Sequence, residues 1–537
     1  MSDQVELSVE LNKAAECYRN HDFGAAKSVC EFILAHIPDH PDALNVLALA
    51  ERATKKWGKA EEIVRHGINV HDRYAPLHNT LGLIALDQRR LPEAEAAFRQ
   101  AVECKPNKQD FRINLSRVLH EMGNLDDAKA MLTSIIDEGS LLANPFILRA
   151  SISAELGKFD KACADIALAE ENGADAGDLA TVKAQCAFAD SDFERAYSYY
   201  DEAVTHTTDV ADARVNRGMV RLLQGRIREG WNDYRMRHQR RWGRSVARPF
   251  TYSQWQGEDL AGKSLLLWAE QGLGEAILCG TLIPVVLTEA KSVTLECGER
   301  LVVLLRRSFP QINVVPQVNP PHTAIEGAKP DYQASLLDLI RYRGADASEN
   351  TPRPACLTPD ADHAAELKAK YCTQAKECRL VGLSWSSPQA VGGRMKKIDA
   401  EFWRAVLSVP GVCFVNLQYG DDRQDLNEIA ESCGATFIND TSIDPAGALD
   451  RLSDQIAVLD LVVSVSTTTA HLAGALGVPT WVIVPPLGPA AMWYWFTDRT
   501  DSPWYPAIRL IRRQYGEGQD KALIEDVARD LATWSTT

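Results

Sequence analysis

One pattern of small and large apolar positions repeats through the first 240 residues with a period of 34. A small residue recurs in seven successive units, at Ala26, Ala60, Ala94, Ala128, Ala162, Ala196 and Gly230. A second small residue lies twelve positions earlier in each unit, at Ala14, Ala48, Gly82, Ser116, Ala150, Ala184 and Gly218. A larger side chain follows the first set by four positions, at Cys30, Val64, Phe98, Leu132, Ile166, Tyr200 and Tyr234. The pattern predicts about seven closely packed helical hairpins over residues 8–240.

Beyond Gly262 the pattern changes to short apolar runs that alternate with helical stretches. The runs read KSLLLWAE, SVTLECG, INVVP, RLVGLSW, CFVNLQY, LVVSVS and TWVIVP. Such alternation predicts parallel sheets with crossover helices. A polar, proline-containing segment at 350–362 divides the region into two Rossmann-like α/β lobes, at 245–360 and 361–537. Ligands of such sheets bind beyond the carboxyl ends of the strands, which makes the residues after each strand the candidates for function.

The net charge restricts the classes of molecule that the chain is expected to bind. The chain carries a formal charge of −15, which argues against broad binding to nucleic acid or to anionic lipid. Residues 226–249 depart from this average, since arginines alternate there with Trp231, Tyr234 and Trp242. Arginine with aromatics can bind nucleic acid or phosphate. We favour the alternative, in which this segment docks the repeats on the next domain and pairs with acidic groups.

The chain start and the cysteines indicate where the protein acts. The first ten residues, MSDQVELSVE, are acidic and lack the features of a secretory signal. The apolar run at 456–465 is shorter than the ~20 residues of a membrane span and contains Asp460. The twelve cysteines form neither a CxxC pair nor a Cys/His cluster. We therefore expect a cytoplasmic protein without a membrane span, a zinc site or a disulfide framework.

The loop after the first strand, AEQGLGEAILCG, contains a pair of glycines before a helix. Gly272 and Gly274 allow the backbone to turn sharply and to approach a ligand. Glu275 then has two interpretations that the spacing does not separate. It is either a general base facing an acceptor or phosphate, or an ordinary acidic residue in the first turn of a helix.

Residues 461–486 form the most informative segment, LVVSVSTTTAHLAGALGVPTWVIVPP. Four hydroxyl residues, Ser466, Thr467, Thr468 and Thr469, stand between a buried strand and a helix of small residues. Hydroxyls and free backbone N–H groups at a helix N-terminus suit a phosphate, although one hydroxyl serves as an N-cap in many helices. His471 is either a donor to phosphate or sugar, which we favour, or a core histidine.

Residues 78–106 resemble the tetratricopeptide repeat. The matching positions are Leu81, Gly82, Ala94, Phe98, Ala101 and Pro106. The resemblance extends over about residues 8–240 and implies a stacked array whose groove binds a protein segment. The alternative, which we favour less, is that the array only fixes the position or oligomeric state of the catalytic region.

The second half resembles heptosyltransferase-like glycosyltransferases of the GT-B fold, especially bacterial forms fused to tetratricopeptide repeats, including flagellin glycosyltransferases. The residues that carry the likeness lie between about 230 and 530. They are AEQGLGE, VGLSW at 381–385, RMKKI at 394–398, NLQYG at 416–420, AHLAGALGVPTWV and DSPWYP at 501–506.

This resemblance implies a nucleotide-sugar donor in the second lobe and no metal or other cofactor. The donor phosphate would lie on Ser466–Thr469, with Lys396 or Lys397 countering its charge and Gln418 near the nucleoside. Trp385 and Arg394 are the further substrate-binding residues that the resemblance implies. Glu275 would be the catalytic base, and Lys396 and Lys397 would stabilise the departing phosphate. Many relatives have Asp in place of Ser466 and of Glu275, which leaves the donor role of Ser466 open.

Three hypotheses follow. The first is a protein O-glycosyltransferase that moves a sugar to Ser or Thr of a protein in the repeat groove. By resemblance the donor would be CMP-pseudaminic acid or a related nonulosonic acid, and the acceptor flagellin. The second is transfer of a heptose or hexose to a lipid-linked or surface glycan. The third is a repeat adaptor that has lost turnover, for which Ser466 in place of Asp is the best support.

Overall fold

The computed structural model describes residues 2–207, 210–240, 247–344, 353–375, 378–387, 396–488 and 491–536. Contacts divide the chain into two compact units. The first comprises the residues up to Ala154 together with Lys158–Val182, and the second comprises Glu155–Gly157 together with the residues from Lys183 onward. The second unit therefore contains the end of the repeat region as well as the α/β region.

The described part of the repeat region forms seven helical hairpins, as the 34-residue period predicts. Their helices are α1 (Ser2–Arg19), α2 (Phe23–His36), α3 (Pro41–Ala53), α4 (Trp57–Val70), α5 (Ala75–Asp87), α6 (Leu91–Cys104), α7 (Gln109–Glu121), α8 (Leu125–Asp137), α9 (Ala143–Glu155), α10 (Phe159–Glu171), α11 (Ala176–Ala189), α12 (Phe193–His206), α13 (Val210–Leu223) and α14 (Ile227–Tyr234). A 3-10 helix, Arg235–Gln239, follows α14.

The positions that repeat in the sequence are the positions that pack. All members of the two small sets and of the larger set are buried. A Cβ added to Gly82 would lie 2.6 Å from the Phe98 ring, and one added to Gly218 would lie 2.6 Å from the Gly230 carbonyl oxygen. The small residues are therefore required where two helices of a hairpin touch.

Two aspartates at the same repeat position cap helices. Asp22 accepts a hydrogen bond from the Ala25 N–H at 3.0 Å, and Asp192 accepts one from the Arg195 N–H at 3.1 Å. These bonds satisfy donors that the first turn of a helix leaves unpaired.

The first lobe contains a fully parallel five-stranded sheet in the order β1-β5-β2-β3-β4. Its strands are β1 (Ser253–Gln254), β2 (Ser264–Trp268), β3 (Ser292–Cys297), β4 (Asn313–Pro316) and β5 (Tyr332–Ser335). Its helices are α15 (Leu273–Gly280), α16 (Ile283–Glu289), α17 (Glu299–Ser308), α18 (Thr323–Ala328) and α19 (Asp338–Arg343).

The second lobe contains a fully parallel six-stranded sheet in the order β11-β10-β9-β6-β7-β8. Its strands are β6 (Arg379–Ser384), β7 (Val412–Asn416), β8 (Thr436–Ile438), β9 (Leu461–Val465), β10 (Thr480–Val484) and β11 (Ile508–Arg512). Its helices are α20 (Ala361–Ala375), α21 (Arg404–Leu407), α22 (Asn427–Ser432), α23 (Leu449–Ala457), α24 (Thr468–Leu476) and α25 (Gln519–Thr536). The 3-10 helices of this lobe include Trp493–Trp495.

The predicted fold class, helical repeats followed by two Rossmann-like α/β lobes, is confirmed. All seven apolar runs contain strands, but β1, β5, β8 and β11 were not predicted. The first three have two to four residues, and β11, with the sequence IRLIR, contains two arginines and lies at the edge of its sheet. Such strands lack the continuous apolar run of a strand buried on both faces.

One hydrophobic core runs through the second unit. It joins buried side chains of the last two hairpins to both sheets, including Tyr200, Trp231, Leu267, Leu472 and Trp493. A second cluster fills the opposite face of the six-stranded sheet, beneath α21, α22 and α25. The last hairpins are thus part of the same core as the α/β lobes.

Candidate active site

The loops that follow β2 and β9 meet between the two lobes. A Cβ added to Gly274 would lie 2.7 Å from Cδ2 and 3.1 Å from Nε2 of His471. The glycine is therefore needed for a close approach of the first-lobe loop to α24, in addition to any role in turning the chain. This contact brings together two segments that the sequence singled out, at the carboxyl ends of their strands.

Glu275 lies in the first turn of α15, whose N-cap is Gly272. Its side chain is half-buried and turns back on the N-cap, since a Cβ on Gly272 would lie 2.5 Å from its Oε2. Within the described residues the carboxylate forms no hydrogen bond and no ion pair. Burial, and after it the charge of Glu275, raise the pKa of Tyr494 in the second lobe. Glu275 thus faces the other lobe, and its role as a base stays a prediction.

The four hydroxyl residues at the start of α24 differ in their surroundings. Ser466 is 2% exposed, and its Oγ accepts a hydrogen bond from Trp495 Nε1 at 2.8 Å. Thr467 is the N-cap of α24 and lies 3.3 Å from the Ser464 hydroxyl. Thr469 is buried, whereas Thr468 is half-buried. Thr468 is therefore the member of the set that is best placed to meet a ligand.

His471 is fully enclosed. Its Nδ1 lies 2.9 Å from the Tyr505 hydroxyl, and its ring stacks on Trp495 with centroids 5.1 Å apart and planes 21° apart. Burial, with the charge of Lys396 as a second cause, lowers the pKa of His471 to about 3. The imidazole is therefore neutral near pH 7. This placement agrees with the core-histidine interpretation as well as with a neutral donor, and the ligand role stays a prediction.

The two candidate lysines have different environments. Lys396 is 7% exposed, and its charge acts on His471, so it lies near the start of α24. The Nζ of Lys397 lies 2.7 Å from Asp422 and 3.6 Å from Asp425, in a half-exposed ion pair. Of the two, Lys396 is the better candidate for countering the charge of a phosphate. The third basic residue, Arg394, lies outside the described residues.

Trp385 and Gln418 occupy the ends of β6 and β7 and are fully buried. Gln418 Oε1 accepts the N–H groups of Trp385 at 2.9 Å and Ser386 at 3.0 Å, and its Nε2 donates to the Tyr419 carbonyl at 2.9 Å. This amide holds the ends of two adjacent strands together. The indole N–H of Trp385 is buried and has no hydrogen-bond partner in the described part of the chain. The predicted place of Gln418 near the nucleoside and the substrate-binding role of Trp385 both stay predictions.

The arginines after the last hairpin pair with buried acids of the first lobe. Arg237 Nη2 lies 2.5 Å from Glu270 and 3.0 Å from Asp338, and Ser335 donates a short hydrogen bond to Glu270. Burial raises the pKa of Glu270, and Arg237 opposes that effect. Arg248 binds Glu296 through two bonds of 2.7 Å. The docking interpretation of this segment, which the sequence favoured, is thus supported by the described arginines.

Aromatic residues of the second lobe complete the site, and sequence reasoning missed their roles. Trp495 binds Ser466, Tyr505 binds His471, and the Tyr494 ring meets His471 edge-on at 5.1 Å. Tyr505 lies within DSPWYP, a segment that the resemblance highlights, and Trp495 lies in the run WYWF at 493–496. The density of aromatics was a visible signal, but their partners lie 29 and 34 residues away.

The described residues lack two other kinds of functional feature. Within them, no cluster of three or more His, Cys, Asp or Glu side chains is arranged to hold a metal ion. No helix there combines the length and the apolar composition that crossing a membrane requires.

Fold and site together define a helical-repeat protein with a two-lobed α/β region built on two parallel sheets. Residues 85–140 match the family model described as tetratricopeptide repeat, which confirms that resemblance. Among curated proteins, the chain is similar to Protein FlbA of Caulobacter vibrioides, at 26% identity over 539 residues that cover 95% of this chain and 88% of that protein.

The solved structures with a likeness include two glycosyltransferases. One is a glycosyl transferase of family 9 from Veillonella parvula, with 13% identity, a TM-score of 0.39 and coverage of 52% of this chain and 98% of that chain. The other is the ADP-heptose lipopolysaccharide heptosyltransferase II of E. coli, with 15% identity, a TM-score of 0.38 and coverage of 51% and 98%.

Proposed function

We propose that the chain is a metal-independent glycosyltransferase that binds a nucleotide sugar between its lobes and glycosylates a polypeptide held by its repeats. The observation that carries the proposal is the contact between Gly274 and His471. It joins a loop with an unpaired, half-buried carboxylate to a helix start rich in hydroxyls. Sugar transfer needs both a base on the acceptor side and stabilisation of an anion on the donor side.

In this reaction the acceptor hydroxyl oxygen forms a bond to the anomeric carbon while the bond from that carbon to the donor phosphate breaks. Glu275 takes the hydroxyl proton, and the electron pair leaves with the phosphate. Lys396, Thr468 and the first-turn N–H groups of α24 stabilise the resulting charge, at a magnitude of ~3 kcal/mol for each well-placed donor. Lys397 contributes less, because Asp422 and Asp425 already neutralise its charge.

The donor sugar and the acceptor rest on the sequence resemblance. It makes CMP-pseudaminic acid or another nonulosonic acid the first donor to test, and flagellin in the cytoplasm the first acceptor. A glycan acceptor and a repeat adaptor without turnover are the alternatives that the experiments below must separate.

Nucleotide affinity is the first measurement. Full-length protein is titrated calorimetrically with CMP, UMP, GMP and ADP, and we expect CMP to bind most tightly. Lys396→Met should weaken binding about tenfold or more, since one lost charge contact of ~1.4 kcal/mol gives that factor. Lys397→Met should weaken it less. Lys370→Met should not change it, since Lys370 pairs with Asp440 at 2.7 Å beside the edge strand β8, three strands away from β9. A preference for ADP would favour a heptose donor, and the absence of binding would favour the adaptor.

Transfer is measured on the acceptor. The intact mass of flagellin from cells that lack this gene is compared with the mass after complementation by the wild type or by Glu275→Gln. We expect regular sugar increments with the wild type and a loss of about 10²-fold or more in rate with the variant. Unchanged flagellin mass together with nucleotide binding would indicate a glycan acceptor.

A further inference from the structure

The 3-10 helix Trp493–Trp495 joins the last repeat hairpin to the start of α24. The Trp493 ring meets Trp231 edge-on at 5.9 Å, and the Thr497 N–H donates to the Leu223 carbonyl at 3.0 Å. On its other side, Trp495 donates to Ser466 and stacks on His471. One short segment thus contacts both the repeats of the second unit and the loop that we assign to the donor.

The backbone of this segment is held in an uncommon conformation. Phe496, which follows it, has φ of +41°, a value that a bulky side chain adopts only when its surroundings impose it. Arg512 donates to the carbonyls of Trp495 and Phe496, and the Phe496 ring stacks on Trp504 with centroids 6.1 Å apart. These contacts fix the direction in which the Trp495 indole points.

The Ser466 hydroxyl is already hydrogen-bonded to this indole. Ser466 is 2% exposed and its oxygen accepts the Trp495 N–H, whereas the half-buried Thr468 two residues later forms no side-chain hydrogen bond in the described residues. Direct contact with a ligand therefore falls to Thr468 and the first-turn N–H groups. Ser466 instead anchors the loop from which they project.

We infer that Trp495 is a positioning residue for the nucleotide donor, acting through its hydrogen bond to Ser466 to hold the start of α24 in place. The inference rests on the proposed function, since it assumes that a nucleotide phosphate binds there. Trp495 acts through Ser466 without touching the donor itself.

A double-mutant cycle tests this. Trp495→Phe, Ser466→Ala and the double variant are prepared in the full-length chain, and the dissociation constant of CMP is measured for each. We expect each single variant to raise it about 5- to 10-fold and the double variant to raise it no further, because both changes remove one hydrogen bond. Trp255→Phe is the matched control: this buried tryptophan of the first lobe loses an indole N–H that donates to the Glu258 carbonyl at 3.0 Å, and CMP should bind the variant as it binds the wild type.

Melting temperatures separate positioning from mere packing. A purely structural role would lower the melting temperature of Trp495→Phe and Trp255→Phe alike and leave CMP affinity unchanged, which would overturn the inference. Multiplied effects in the double variant would also overturn it. Should Trp495→Phe not fold, Ser466→Ala alone must still weaken CMP binding. If the wild type binds none of CMP, UMP, GMP and ADP, the proposed function fails first, and the inference fails with it.

Discussion

The two compact units form their buried polar contacts over different distances along the chain. In the first unit, Arg52 pairs with Asp87 across 35 residues and Arg149 pairs with Asp165 across 16. In the second, Arg237 reaches Asp338 across 101 residues and Trp231 reaches the same carboxylate across 107. The first unit is thus held by contacts within a repeat and between neighbouring repeats. The second unit joins the end of the repeat array to a lobe that lies much later in the sequence.

The largest expected effect comes from the buried arginine of the second unit. Arg237→Met should lower the free energy of unfolding by about 3–5 kcal/mol, because it removes the buried guanidinium that pairs with both Asp338 and Glu270, which is 7% exposed. Eleven of the twelve tryptophans lie at or after position 231, so tryptophan fluorescence during urea denaturation reports on the second unit.

The matched change in the first unit is Arg149→Met. Its partner is Asp165, at 2.6 Å, but the arginine side chain is 17% exposed, so we expect a loss of about 1.5–3 kcal/mol. Far-ultraviolet circular dichroism should detect this loss, and the fluorescence transition should not move. Equal costs for the two arginines would contradict the contrast between the units.

A smaller effect is expected where two helices of a hairpin touch. Gly218 and Gly82 occupy the same repeat position, but a Cβ at Gly218 meets the Gly230 carbonyl, which is backbone, whereas one at Gly82 meets the movable Phe98 ring. Gly218→Ala should destabilise the second unit by about 2 kcal/mol after the helix-propensity gain of about 1 kcal/mol. Gly82→Ala should cost less, about 1 kcal/mol, because a side chain can shift further than a backbone carbonyl. Urea denaturation of both variants tests this difference. An unchanged free energy of unfolding for Gly218→Ala would contradict it and would show that α13 and α14 can move apart.

A further prediction concerns how the stability of the second unit depends on pH. His471 has a pKa of about 3 in the folded chain, below its ordinary value of 6.5. The unfolded chain therefore binds one more proton between these values, so stability is complete above pH 6.5 and falls as the pH drops. The slope from this group is about 1.4 kcal/mol per pH unit. The difference in unfolding free energy between the wild type and His471→Gln, measured from pH 6.5 to 5, should shrink at that slope. A difference in unfolding free energy that stays constant with pH would mean that the His471 imidazole takes up a proton as easily in the folded chain as in the unfolded chain.

The sequence predicts the array better than the site, and the reason is the same difference in contact distance. Ala26, Phe98 and Gly218 are recognisable because each recurs at a fixed interval, and each is buried as expected. The apolar runs of β2 and β9 are equally visible, since strands buried on both faces need continuous apolar residues. A period or a run is a local property, and local properties can be read without the fold.

The partners in the candidate site have no such signature. The pairing of Ser466 with Trp495 and of Glu270 with Arg237 depends on which loops the two sheets bring together. Gly274, Glu275 and His471 were singled out as residues that follow a strand, but that rule does not predict the contact between Gly274 and His471. The rule did not separate Lys396 from Lys397, which adjoin in the sequence but differ in burial, since Lys396 is buried and Lys397 lies half-exposed beside Asp422 and Asp425.

The smallest expected effect concerns a contact that should contribute equally to the stability of the two units. Asp22 in the first unit and Asp192 in the second occupy the same repeat position, and each caps a helix through one backbone N–H. Because this contact spans only three residues, it does not depend on the contacts that distinguish the units. Asp22→Ala and Asp192→Ala should each cost about 1 kcal/mol in urea denaturation, and Asp→Asn at either position should cost much less, since asparagine also caps helices well. A cost at Asp192 several times that at Asp22 would contradict this expectation. It would mean that the helices around Asp192 unfold together with the α/β core, so that loss of the cap lowers the free energy of unfolding of the whole second unit.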